Sequence, residues 1–318
     1  MNHWLIVPVV LPALVAPFVV ATARHDIKLQ RVFSVAATIL LLAVAIGLYL
    51  LAADGVPRAY ALGNWPAPFG IILVLDRLSA LMLLLTAVLA TAVVVYAASG
   101  WDRRGRHFHA LFQFQLMGVN GAFLTGDVFN LFVFFEVLLI ASYGLMLHGA
   151  GARRITEGLK YVAINLAGST LFLFAVGLIY ALTGTLNMAD LAVRVPLVPE
   201  ADQALLRVGA ALLLVVFAIK GALVPLHLWL PGTYGAAAPP VAALFAIMTK
   251  VGAYAILRVY LLIFGGGARG RPGPPAHRCS TPPRRVRDQG RAGAFAPVAA
   301  RNLRRRLAAG GGPVRDHD

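Results

Sequence analysis

Long apolar stretches recur along this chain, separated at short intervals by turns that collect most of its charges. Eight of them, near residues 4–23, 32–53, 76–98, 108–126, 129–148, 159–182, 204–224 and 239–263, approach the ~20 residues needed to cross about 30 Å of hydrocarbon. The pattern predicts an all-α, polytopic transmembrane helix bundle. The first stretch ends in Ala21-Thr22-Ala23, which has the small residues of a signal cleavage site. No basic residue precedes it, and its apolar run exceeds the usual signal core, so it is read as a retained helix.

Composition supports the membrane reading. The 318 residues are 59% hydrophobic and 13% charged, too apolar for a water-soluble domain to cover with polar surface. A net charge of +15 would suggest a nucleic-acid partner, but the basic excess sits in loops and in one tail, so no nucleic-acid function is read from it. The single cysteine, Cys279, excludes a disulfide within the chain and any cysteine-built zinc or iron–sulfur centre. No cofactor or metal is expected.

The loops also set an orientation. The first, third and fifth loops hold Arg24, Lys28 and Arg31; Arg103, Arg104 and Arg106; and Arg153, Arg154 and Lys160. The second and sixth hold Arg58, Arg77, Arg194 and Arg207. Basic residues gather on the cytoplasmic side, so the N-terminus is expected outside a bacterial cell membrane.

Composition breaks at Gly265. From there to Asp318 the chain carries twelve arginines against three aspartates, no lysine and abundant glycine and proline, with no run able to span. Two readings stay open, a disordered extension and an out-of-frame translation of a GC-rich gene. Neither assigns it a function. The chain is thus divided into a transmembrane domain, 1–264, and a tail, 265–318.

Within the spans, away from their ends, three ionisable residues stand out: Glu136, Lys220 and Lys250. Each costs about 2.5–3.5 kcal/mol to insert at a helix centre, which makes an intramembrane charge a functional candidate. One carboxylate cannot neutralise two lysines, and a buried ammonium without a partner is relieved by losing its proton. The alternative is a static Glu–Lys strut between helices. Pro225 has no N–H for the carbonyl of Gly221, and Gly221, Pro231 and Gly232 weaken the helix further, so the span is expected to break directly after Lys220. Broken helices at membrane depth mark transport sites, though a plain kink would leave the same pattern. His227 is a candidate proton relay or a satisfied structural histidine. Asn120, Asn165, Ser169, Thr249 and Tyr254 could bind water along a path, each being equally explained as interhelical glue. Asp127, His107, His109 and His148 lie near span ends, where headgroup water accounts for them.

The segments FNLFVFFEVLLIASYGL, KYVAINLAGSTLFLFAVGLIYALTGTLNMADL and VFAIKGALVPLHLWLPGTYGAAAPPVAALFAIMTKVGAYAILRVY resemble the antiporter-like proton-translocating subunits, above all the D-type subunit of Mrp-type cation/proton antiporters. The resemblance covers roughly residues 1–264. It implies that Glu136 is the family's fifth-helix glutamate, that Lys220 is the lysine of the broken helix paired with it, and that Lys250 is the next lysine along the proton path. His227 falls in the family's VPLHxWLP segment. Such subunits have about fourteen helices built as two inverted five-helix repeats. This chain matches the first repeat, residues 108–263, and its apparent end supports the out-of-frame reading of the tail.

The resemblance also implies a function: a transporter subunit rather than an enzyme, working beside other subunits of a hetero-oligomeric complex and exchanging protons for Na⁺ or another monovalent cation. Two alternatives remain. One is a proton-pumping membrane subunit of an NADH:quinone oxidoreductase or membrane-bound hydrogenase complex. The other is a structural subunit that conducts nothing.

Overall fold

The computed structural model describes residues 3–264. The arginine-rich tail and Cys279 lie outside the described residues.

Eight long helices form the body: α1 (Val7–Thr22), α2 (Ile27–Ala52), α3 (Arg77–Ala97), α4 (Phe108–Leu124), α5 (Val128–Met146), α6 (Ala152–Thr183), α8 (Glu200–Lys220) and α10 (Pro239–Val259). Two short ones, α7 (Met188–Arg194) and α9 (Trp229–Ala236), fill the connections. Six of the described helices are long and apolar enough to cross a membrane, the last counted through Phe264, whereas α1 and α4 are shorter, at 16 and 17 residues. The protein is thus a multi-pass, all-α membrane protein. One element was not expected: the loop after α2 holds an antiparallel pair, β1 (Arg58–Ala61) and β2 (Ile72–Leu75), with Arg58 opposite Leu75. Four-residue strands fall below what an apolar-run reading resolves.

Local chemistry explains where the helices start. Asp26 accepts from the backbone N–H of Lys28 at 2.8 Å and so caps α2. Asp76 and Ser79 form a reciprocal capping box at α3, and Asp127 caps α5 by accepting from Asn130 N–H at 2.8 Å. Asp127 is therefore a structural cap rather than a residue facing headgroup water. In α1, Pro12 removes the N–H that would reach the carbonyl of Pro8, and Asn120 of α4 donates its amide to that carbonyl at 2.9 Å. The defect in one helix thereby becomes a contact between two.

Packing concentrates polar groups at the two ends of the bundle. At one end, the first turns of α2 and the loop after α3 meet where Arg31 donates two hydrogen bonds to Asp102, at 2.5 and 2.7 Å, and His109 lies 3.1 Å from the same carboxylate. His148 contacts the carbonyl of Trp101 at 2.8 Å. Both histidines are buried in this interface, which corrects the expectation that headgroup water accounts for them. The opposite end holds the hairpin, the Thr125–Asp127 turn and a second ion pair. There Arg258 of α10 clamps Asp76 through two hydrogen bonds, at 2.5 and 3.0 Å, and also donates to Tyr254. Burial raises the Asp76 carboxyl, but Arg258 and the Ser79 bonds outweigh it and hold it below the ordinary carboxylate range.

Candidate functional site

Three helices converge on Lys220. It is the last residue of α8 and is 4% exposed. On α6, Asn165 and Ser169 stand four residues apart and so share one helix face. The ammonium Nζ of Lys220 donates to the carbonyl of Asn165 at 3.2 Å and to Ser169 Oγ at 3.0 Å. Ser169 in turn donates its own hydroxyl to Glu136 Oε1, from the middle of α5. The Lys220 stem runs past Gly168, where an added Cβ would lie 3.8 Å from Cε.

Glu136 and Lys220 are thus joined through a hydroxyl rather than by direct contact. Sequence reasoning offers Ser169 as interhelical glue or a water ligand, and its place between the two charges is the main residue role that reasoning misses. The signal is present in the i, i+4 spacing of Asn165 and Ser169 within an apolar span. Serine suits this position because one hydroxyl both accepts and donates. A proton can pass from Lys220 to Ser169 Oγ while the Ser169 proton passes to Glu136, leaving neutral lysine, neutral glutamic acid and an unchanged serine.

The surroundings are dry on one side. Phe135, Phe172 and Phe217 pack together, with Phe172 and Phe217 centroids 5.4 Å apart in an edge-to-face pair, and Lys220 Nζ lies 5.9 Å from the Phe135 ring centre. On the other side the helix stops. Residues 221–228 form turns, and α9 begins at Trp229. The carbonyl of Ile219, left without a helical partner, accepts from Ala222 N–H at 3.1 Å and from the Trp229 indole at 3.1 Å. Gly221 and Pro225 both fall in this break, whereas Pro231 and Gly232 lie inside α9 and do not interrupt it. His227 is half-buried in the turns, with Nδ1 lacking a hydrogen-bond partner among the described residues and no bond to the Lys220 cluster.

Of the three charges expected to be buried, Lys220 is buried, Glu136 is half-buried and Lys250 departs furthest. In the described structure it is exposed on α10, donating only to its neighbour Thr249 at 3.4 Å. The physical reason is angular: Thr249, Val251 and Gly252 face the interior, and the intervening position points outward. Its connection to the cluster runs through backbone, since Gly252 packs against Gly221 immediately after Lys220. Among the described residues no three His, Cys, Asp or Glu side chains come together as metal ligands would.

This fold and site define a multi-pass membrane protein with a hydroxyl-bridged carboxylate–ammonium pair beside a broken helix, a fold that known proteins share. Residues 125–269 match the family described as NADH:quinone oxidoreductase/Mrp antiporter, transmembrane. The chain is 50% identical over 273 residues to the D-type subunit of a probable K⁺/H⁺ antiporter of Rhizobium meliloti, covering 84% of this chain and 51% of that protein. It is 46% identical over 268 residues to the D-type subunit of the Na⁺/H⁺ antiporter of Alkalihalophilus pseudofirmus, covering 83% and 54%. Among solved structures, a chain of the Mrp complex from Dietzia sp. DQ12-45-1b superposes with a TM-score of 0.77 at 36% identity, over 85% of this chain and 51% of that one. The chain thus carries, over residues 125–269, the transmembrane domain of the NADH:quinone oxidoreductase/Mrp antiporter family. It spans about half the length of the curated relatives it matches.

Proposed function

We propose that this protein acts as the D-type subunit of a multisubunit monovalent cation/proton antiporter. It passes protons through Glu136, Ser169 and Lys220 in exchange for Na⁺, beside partner subunits in the bacterial cell membrane. The observation that carries this reading is the Ser169 bridge at the end of a broken helix, where a buried ammonium and a carboxylate are one concerted proton shift from mutual neutrality. Lys250 and His227, neither of them hydrogen-bonded to the cluster, extend the route beyond the break through water, and residues 108–263 serve as the repeat that carries it. The basic residues of the loops at the Arg31–Asp102 end support a cytoplasmic position for that end, with the N-terminus outside. The driving force is the membrane potential, about 2.3 kcal/mol per charge per 100 mV.

Everted vesicles containing the protein with its partners test the reading. Adding Na⁺ should collapse an imposed proton gradient, followed with a pH-sensitive dye. Lys220→Ala should abolish the response, and so should Lys220→Arg, whose guanidinium stays protonated. Full exchange in Lys220→Arg would overturn the proposal. Proton pumping that needs NADH and ignores Na⁺ would favour the oxidoreductase alternative, and exchange unaffected by either variant would favour the structural one.

A further inference from the structure

The turn after α1 and the loop after α3 line a half-open cavity of about 300 Å³, whose walls include Arg24, His25, Gln30, Asp102, Arg103 and Arg106. Its volume lies at the lower end of small-ligand sites, about 300–1,000 Å³. The one carboxylate in the lining, Asp102, is fully buried and already neutralised by Arg31, with His109 also against it. Arg24, Arg103 and Arg106 make no ion pair among the described residues, since the acids that pair elsewhere are Asp54, Asp76, Glu157 and Asp190. The nearby Asp26 is committed to capping α2. Three exposed arginines without an ion-pair partner among the described residues therefore line one hollow from two separate loops. Basic loops orient a membrane protein wherever they stand, and orientation alone does not require them to surround a cavity.

We infer that this cavity binds a phosphate group, and that in the membrane the phosphate belongs to the headgroup of an anionic phospholipid. Guanidinium forks match phosphate oxygens in pairs, which is what a hollow lined by three of them offers. The lipid source follows from the neighbours. Phe18, Val20, Leu29 and Val32, on the helices that leave this turn, are exposed apolar side chains, so acyl chains attached to a phosphate in the cavity have a surface to lie along.

The test uses the full chain in phosphatidylcholine nanodiscs containing a few mole per cent phosphatidylglycerol, with retained lipid counted by native mass spectrometry. Wild-type protein should retain phosphatidylglycerol over phosphatidylcholine. The variant Arg24→Gln/Arg103→Gln/Arg106→Gln should lose that preference by about tenfold or more. The single variants Arg103→Gln and Arg106→Gln should each lower it in case the triple variant fails to fold, and Arg207→Gln, an exposed arginine of α8, should leave it unchanged. A parallel titration with inorganic phosphate separates the two sources. Phosphate binding without a phosphatidylglycerol preference overturns the lipid assignment. No preference in wild type with no phosphate binding, or equal retention by the arginine variants, overturns the site.

Discussion

Gly252 of α10 packs directly on the backbone of Gly221, so closely that a Cβ on Gly252 would collide with the Gly221 nitrogen and lie 2.8 Å from the Lys220 carbonyl carbon. The helix bearing Lys250 thus touches the break that follows Lys220 with no side chain between them. Gly252→Ala would force the two elements apart, an overpacking cost of about 1–3 kcal/mol. We expect a lower melting temperature and a several-fold loss of Na⁺-driven proton exchange. Gly177→Ala, where an added Cβ meets nothing within 4 Å, is the matched control and should change neither. Unaltered stability and exchange in Gly252→Ala would show that this contact is looser than described.

Replacing Ser169 separates the two charges it joins. Ser169→Ala removes a hydroxyl bonded to both an ammonium and a carboxylate, and hydrogen bonds to charged groups are worth about 1.5–3 kcal/mol. Exchange in vesicles should fall roughly 10–100-fold. Ser169→Thr, which keeps the hydroxyl, should recover most of it. If alanine and threonine variants behave alike, the hydroxyl is not in the path.

Much of this arrangement is legible in the sequence for a definite reason. Lipid leaves apolar runs uninterrupted, so the eight long helices and the stop at Lys220 follow from run length and from Gly221 and Pro225. What spacing cannot show is which residues meet across the bundle. Arg31 and Asp102 lie 71 residues apart, and Arg258 and Asp76 lie 182 apart, so neither pair leaves a local signature. The exposure of Lys250 escapes the sequence because run position gives depth in the membrane but not the direction in which a side chain points.

Asn120 supplies the amide that the carbonyl of Pro8 lacks in its own helix. Asn120→Leu leaves that buried carbonyl without a donor, at a cost of about 1–3 kcal/mol. Because this bond ties α1 to α4, protease sensitivity near the α1–α2 turn should rise while the Lys220 cluster stays intact. Exchange per folded molecule is therefore expected to hold near the wild-type value. A large loss of exchange at full stability would place Asn120 in the transport path instead.

Asp102 offers a test whose sign follows from its surroundings. Burial pushes its carboxyl up, but hydrogen bonds from Arg31 and His109 and the charge of Arg31 outweigh this and hold it below the ordinary range. A carboxylate lowered on folding contributes stability that is fully present above its unfolded value, near 3.9, and is lost only as pH falls through the folded value. Asp102→Asn leaves Arg31 and His109 facing a neutral amide. With Arg31 21% exposed, the cost should be on the order of 2 kcal/mol, below that of breaking a fully buried pair. The stability gap between wild type and variant, measured by thermal unfolding in detergent, should stay constant from pH 7 to about pH 5 and close only below about pH 4. A gap that closed already between pH 7 and pH 5 would remove Asp102 as the anchor of this end of the bundle, since titration of His109, which the carboxylate favours in its protonated form, would widen the gap on acidification.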